Sequence, residues 1–256
     1  MAAKPEAVLL LVHGLGAHSA RWQDLSDFLL KKSISSYAIE LEGFGETKGL
    51  EGYVDSFGVY LRDINLLREV ITRENKDRKV MLLGESMGGL ISFLTVARRP
   101  NLFDGLICIS PAFVNKLKLS VFEYAKIFSS LLYNPRKKFP LPFTCRMCTQ
   151  DAVCQKSIEE DPMEHKSVSS KLIYELMAAQ VRVGALKEKV KTPLLFLLAG
   201  DDKLVDSRAS ERIFKSLGVQ DKTLIEYPGM YHSLSIDLGR EKVFQDIANW
   251  VAKRKA

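Results

Sequence analysis

The segment KVMLLGESMGGL (79–90) sets Ser86 between Gly84 and Gly88 in a GxSxG pattern. A serine hydroxyl is a poor nucleophile at neutral pH. It becomes reactive when a neighbouring base accepts its proton and an acid orients that base. The bare pattern is weak evidence, because a glycine-rich turn around a helix-capping serine has the same letters. Its setting is stronger: an apolar run of strand character precedes the serine and a helix-forming stretch follows it. A sharp turn at that junction strains the serine backbone, and glycines two positions to either side remove the Cβ atoms that would collide. The hydroxyl is then left exposed at a helix N-terminus, whose dipole favours developing negative charge.

Sites built on such a turn run serine, acid, histidine in chain order. LLAGDDKLVD (197–206) ends a predicted strand at Gly200 and sets Asp201 and Asp202 at its mouth, with Asp206 close behind. An aspartate at a strand end is often only a helix cap, so the residues alone leave the choice of acid open. PGMYHSL (228–234) puts His232 in the loop after the last predicted strand. Of the four histidines, His13 and His18 precede the serine and His165 precedes the acids, which leaves His232 as the base. The plainer alternative for it is an exposed loop histidine. Acyl transfer also needs two donors aimed at an oxyanion. The backbone amides of Met87, just after the serine, and of Leu15, after HisGly in HGLG (13–16), are suitably placed.

To bring these residues to one rim, strands must end together, and the chain alternates apolar β-rich runs with amphipathic stretches as βα units around a parallel sheet do. Predicted strands cover 7–12, 36–41, 79–83, 106–109, 194–198 and 223–227; predicted helices cover 20–31, 56–73, 87–98, 207–217 and 241–253. Most of the strands are continuous apolar runs, as burial on both faces demands. Between Ile109 and Pro193 the alternation stops. No clear strand is visible there, helices are predicted at 119–132 and 168–183, and the proline- and aromatic-rich run 132–143 has the character of a loop. The expectation is an α/β fold: a mostly parallel sheet flanked by helices, formed by 1–111 and 191–256, with 112–190 inserted as a helical cap over the sheet's C-terminal edge.

Composition narrows the class. The 256 residues are 46% hydrophobic and 27% charged, enough for one large core and unlike a disordered or fibrous chain. No apolar run approaches the roughly 20 residues that cross a bilayer. The first residues lack a basic leader with a cleavage site, so a cytoplasmic protein is expected. The net charge of +6 suits an anionic surface such as phospholipid, or is simply a solvated basic face. The clusters Arg136, Lys137, Lys138 and Lys253, Arg254, Lys255 lack the interleaved aromatics of a nucleic-acid module, and no nucleic-acid partner is expected. Cys145, Cys148 and Cys154 have no second ligand pair for a structural zinc; with Cys108 they are taken as reduced thiols, and neither a metal nor a cofactor is expected.

On these residues the chain resembles the monoacylglycerol lipase and lysophospholipase branch of the α/β-hydrolases. HGLGAHSARW (13–22) is similar to that family's oxyanion loop and GFGETKG (43–49) to its glycine-rich loop. LGESMGG, GDDKLVD and GMYHSL look like its three triad segments, and EDPM (160–163) is similar within the cap. The resemblance selects Asp202 as the acid, with Asp201 in reserve, and assigns Gly14 and Arg21 of the first loop to substrate binding. Where that family carries a glutamate in the first loop this chain has Ala17, and where it carries a second histidine three residues past the catalytic one it has Ser235. A cap that shapes an acyl-binding tunnel and rests on membranes or micelles is also implied. In that cap Phe139, Leu141 and Phe143, beside Arg136, Lys137 and Lys138, are either core packing or a lipid-facing lip, and Phe139 and Phe143 are assigned to substrate binding.

The leading function is a serine hydrolase that cleaves carboxylic esters of single acyl chains, such as monoacylglycerols or lysophospholipids, through an acyl-enzyme on Ser86. A proline-type aminopeptidase of the same fold shares the triad but needs an acid for the substrate amine, for which Glu159, Glu160 and Asp161 are at hand. A hydrolase-like binding protein without activity is expected to lack a triad member, and none is missing.

Overall fold

Successive side chains leave a strand on opposite faces, so a run that is apolar throughout needs a covering layer on each side. The computed structural model, which describes residues 5–117 and 119–254, meets that demand. Residues 1–4 and Lys255 of the terminal basic cluster lie outside the described residues. In chain order the elements are β1 (Ala7–Val12), α1 (Gln23–Leu30) after a 3-10 turn at Ser19–Trp22, β2 (Ile34–Ile39), α2 (Phe57–Glu74), β3 (Lys79–Glu85), α3 (Met87–Arg98) and β4 (Gly105–Ile109). There follow α4 (Val121–Tyr133), β5 (Lys138–Pro140), α5 (Cys145–Cys148), α6 (Ala152–Glu160), β6 (Ser167–Ser169) and α7 (Ser170–Leu186). The chain closes with β7 (Leu194–Ala199), α8 (Ser207–Ser216), β8 (Lys222–Tyr227) and α9 (Arg240–Ala252).

Six strands form one sheet in the order β2-β1-β3-β4-β7-β8, and every neighbouring pair is parallel. Val8, Leu10, Val12, Val80 and Leu82 face one core with α2, α3 and α7, whereas Ala7, Leu9, Leu11, Met81 and Leu83 face the other with α1 and α9. Strand ends match the sequence expectation to within two residues. β2 is displaced bodily, beginning at Ile34, because that residue pairs with Ala7 and the β1 ladder draws Ser35 and Ser36 into the sheet. The helix expected over 20–31 splits into the 3-10 turn, which carries Trp22 into the core, and α1.

The insertion between β4 and β7 departs further from expectation. β5 and β6 pair antiparallel, with Phe139 opposite Val168, where no strand was foreseen. Three-residue strands are too short to display an alternation. α7 starts after β6, and the Ser169 hydroxyl caps it by accepting from the Leu172 amide. Leu172, Leu176, Ala179 and Val183 of α7 join the main core, where the helix packs on α3. α4 in turn packs on α7. Among the described residues no helix is long and apolar enough to cross a membrane.

Candidate active site

Parallel register brings the C-terminal strand ends level: Val12 pairs with Gly84, Glu85 with Ile109, and Ala199 with Tyr227. The loops after β1, β3, β4, β7 and β8 therefore open on one rim, the edge at which open α/β sheets bind ligands.

Ser86 leaves β3 with φ 56° and ψ −119°. A non-glycine residue in such a conformation costs about 1–3 kcal/mol and persists only when its surroundings enforce it. Here the Ser86 amide donates to the Ile109 carbonyl at 2.9 Å and the Ala112 amide donates to the Ser86 carbonyl at 3.0 Å. The glycines are required by close approach. A Cβ on Gly84 would come within 2.2 Å of the Gly88 carbonyl oxygen, and one on Gly88 within 2.1 Å of the Val12 oxygen.

His232 receives the Ser86 hydroxyl on Nε2 at 2.8 Å and donates from Nδ1 to Asp202 Oδ2, also at 2.8 Å. The other Asp202 oxygen accepts the Leu204 and Val205 amides at 2.8 and 2.9 Å, which fixes the carboxylate plane. Both residues are buried, so His232 is no exposed loop histidine. Asp201, by contrast, is exposed and its side chain stays clear of the imidazole, while Asp206 caps α8 by accepting from the Ala209 amide. Burial works against a charged His232. The Asp202 carboxylate, by charge and hydrogen bond, outweighs it with help from Glu85, and the imidazole pKa is held above its ordinary value.

The first loop passes directly over Ser86, since a Cβ on Gly14 would stand 3.2 Å from the Ser86 Cβ and 3.8 Å from its Oγ. His13 secures that loop: Nδ1 donates to the Gly14 carbonyl at 2.9 Å and Nε2 accepts the Leu41 amide at 3.1 Å. Leu15 follows at once, and Met87 is the first residue of α3, where amides lack intrahelical acceptors. Neither of these two amides donates to another backbone group in the turns among the described residues.

Above the rim lies a cavity of about 1060 Å³, with Gly14, Ser86 and His232 in its lining and apolar walls that include Ile127, Leu141 and Leu176. Phe139 and Phe143 line it too and are half-buried; Phe143 packs against Ala112, Leu204 and Val205, and Leu141 against the main core. α4 carries strongly exposed apolar side chains: Val121, Phe122, Leu132 and Tyr133 are 86%, 67%, 91% and 67% exposed. Arg21 borders the cavity with its guanidinium paired to Glu164 of the insertion. His18 Nε2 lies 2.9 Å from Asp161 Oδ2, and the His165 amide donates to the Gly16 carbonyl at 2.8 Å. The EDPM segment thus abuts the first loop.

Two buried carboxylates that touch the histidine loop escaped the sequence reading. Glu85 accepts the Ser235 amide at 3.1 Å and the Ser235 hydroxyl at 2.8 Å. Burial raises its pKa, with the Ser235 hydrogen bonds and the charges of His232 and Arg21 pulling the other way. Its signal was a charged residue ending an apolar strand. Asp237 accepts the Thr149 hydroxyl at 3.0 Å and the Gln150 amide at 2.6 Å from the insertion, and the Tyr231 amide at 2.5 Å from the histidine loop. No local pattern marks it.

The family described as serine aminopeptidase, S33 (Hydrolase_4) matches residues 3–239. Monoglyceride lipase of Rattus norvegicus is 31% identical over 261 residues, spanning 98% of this chain and 84% of the rat protein. Phospholipase YtpA of Bacillus subtilis (strain 168) is 27% identical over 247 residues, spanning 94% of this chain and 93% of its own. The crystal structure of Paleococcus ferrophilus monoacylglycerol lipase superposes with a TM-score of 0.91 at 27% identity, covering 99% of this chain and 97% of that one.

Proposed function

This chain belongs to the serine aminopeptidase S33 (Hydrolase_4) family and is an ester-cleaving serine hydrolase, and we propose that it hydrolyses carboxylic esters of single acyl chains through an acyl-enzyme on Ser86. The observation that carries this reading is the chain of hydrogen bonds from Asp202 through His232 to Ser86, beneath an apolar cavity.

In the proposed reaction Ser86 Oγ attacks the ester carbonyl carbon while His232 Nε2 takes the hydroxyl proton. Asp202 keeps the other proton on Nδ1, so Nε2 is free to accept, and it balances the imidazolium that results. The carbonyl oxygen becomes an oxyanion, to which the Leu15 and Met87 amides donate and which the α3 dipole favours. Collapse expels the alcohol, which takes the proton from His232. Water then gives a proton to His232 and adds to the acyl group, and as the bond to Ser86 breaks His232 returns that proton to Ser86 Oγ and the carboxylic acid leaves.

The apolar walls fit an acyl chain, and monoacylglycerols and lysophospholipids are both single-chain esters. Residues 112–190 form the cap in this reading, rooted by α7, with Phe139 and Phe143 lining the acyl site and Gly14 and Arg21 at its polar end. The outer face of α4 would meet a membrane or micelle: Lys126 lies over the Phe122 ring at 4.4 Å, and Arg136 and Lys137 follow the helix. A cytoplasmic setting belongs to the same proposal and is supported by four free cysteines.

The aminopeptidase alternative is not favoured. Glu159 accepts the Cys145 thiol at 3.1 Å, Glu160 lies 3.9 Å from Lys156, and Asp161 is taken by His18, so each acid offered for a substrate amine has another partner. A panel of p-nitrophenyl esters of rising acyl length, monoacylglycerols, lysophospholipids and proline arylamides tests the assignment. Ester turnover and fluorophosphonate labelling are expected, both lost in Ser86→Ala. Ester turnover that survives Ser86→Ala would falsify the acyl-enzyme.

A further inference from the structure

After Lys79, every residue of β3 is apolar except its last, Glu85, which immediately precedes Ser86. Glu85 is only 6% exposed. A carboxylate withdrawn from water needs partners for its lone pairs. Ser235 supplies both, its amide to Oε1 and its hydroxyl to Oε2. Since Ser235 lies three residues past His232, these bonds tie the loop that carries the imidazole to the strand that carries the hydroxyl. On its other side the loop is held by the insertion, where the Ser233 amide donates to the Cys148 carbonyl at 2.9 Å and Asp237 spans Tyr231 and Thr149. Glu85 is therefore the clamp on the β3 side.

We propose that Glu85 is a positioning residue for the base: it clamps Ser235 so that His232 Nε2 meets Ser86 Oγ. This rests on the assignment of Ser86 and His232 as nucleophile and base. The charges that bear on His232 are Asp202 from the loop after β7 and Glu85 from β3. Glu85 in turn feels Arg21 from the 3-10 turn, and Arg21 is paired with Glu164 from the insertion. Cys148 of α5 also feels Glu85, but burial pushes its thiol up to about 12, so it carries no charge at neutral pH.

The test uses Glu85→Gln, which keeps the shape but only one of the two accepting oxygens, and Ser235→Ala, which keeps Glu85 and loses the hydroxyl donor. With p-nitrophenyl acetate, kcat of Glu85→Gln is expected to fall on the order of tenfold with KM within about twofold, because misplacement affects the reacting geometry rather than binding. Ser235→Ala lowers kcat as well, and the double variant falls no further than the worse single one, since both remove one clamp. An unchanged kcat in Glu85→Gln overturns the proposal, as does an effect confined to KM for esters of bulky alcohols, which makes Glu85 a substrate contact. If Glu85→Gln fails to fold, Ser235→Ala decides: wild-type kcat there overturns the clamp. Ser86→Ala is measured alongside. Turnover surviving in it sinks the underlying assignment, whereas an inert Ser86→Ala with a wild-type Glu85→Gln sinks the clamp alone.

Discussion

α3 and α4 both border the cavity, and their first turns are built in opposite ways. α3 is buried at eleven of its twelve residues and starts at strained Ser86 with no side-chain cap. α4 buries only Ile127 and Ser130, and starts with a capping box in which the Ser120 hydroxyl and the Glu123 carboxylate satisfy each other's amides. Under the proposed function the difference lies in what each N-terminus is for. A helix that serves an anionic intermediate must leave its first amides free for it and depends on tertiary packing for stability. A helix that serves a surface satisfies those amides itself and can leave its apolar side chains in water.

The comparison breaks most readily at the rim, where each group is held by several others. Asp202→Asn keeps the packing but cannot keep the proton on Nδ1 of His232, and kcat for a short ester should fall by about 10⁴-fold with an unchanged far-ultraviolet spectrum, by the precedent of other triads. Loss below tenfold would mean that the imidazole is oriented by something else. Gly88→Ala attacks the same helix by steric means, since the new Cβ meets the Val12 and His13 carbonyl oxygens at 2.1 and 2.6 Å. A cost of roughly 3 kcal/mol is expected, read as a fall of about 5–10 °C in the melting midpoint. The pH profile probes the electrostatics. With the His232 pKa raised by Asp202, kcat/KM should climb with pH as the imidazole loses its proton, with a midpoint above the ordinary histidine value of about 6.5. A midpoint below that value would show that burial had won over the carboxylate.

The two helices also differ in how far the sequence disclosed them. α3 was bounded to the residue, with Ser86 and its glycines marking the start, and continuous apolar strands could only belong to a sheet covered on both faces. The rim followed from the order of Ser86, the aspartates and His232. The choice of Asp202 over Asp201 did not, because neighbours at a strand end differ only in which way the turn points them. Glu85 and Asp237 stayed hidden, since their partners lie 150 and 88 residues away and leave no periodic trace. In the insertion, amphipathic pattern located α4 and α7 but could not say which face of α4 would be covered. β5 and β6 were too short to see, and it is their pairing that turns Phe139 and its neighbours toward the cavity.

The smallest expected effect falls on α4 and is the sharpest test of its assigned role. Val121, Phe122 and Leu132 are exposed, so replacing them with serine removes no core contact, and the melting midpoint should shift by no more than about 0.5 kcal/mol equivalent per site. Hydrolysis of p-nitrophenyl acetate in free solution should be unchanged, because none of the three side chains borders Ser86. What should fall is co-sedimentation with anionic phosphatidylglycerol vesicles at low salt, together with turnover of long-chain monoacylglycerol presented in them. An apolar face flanked by Lys126, Arg136 and Lys137 binds such a surface by burial and by charge, and each lost apolar side chain weakens it. If the triple variant binds vesicles as the wild type does, α4 does not contact lipid. If it loses activity on the soluble ester instead, α4 belongs with α3 as part of the catalytic frame, and the contrast between the two helices fails.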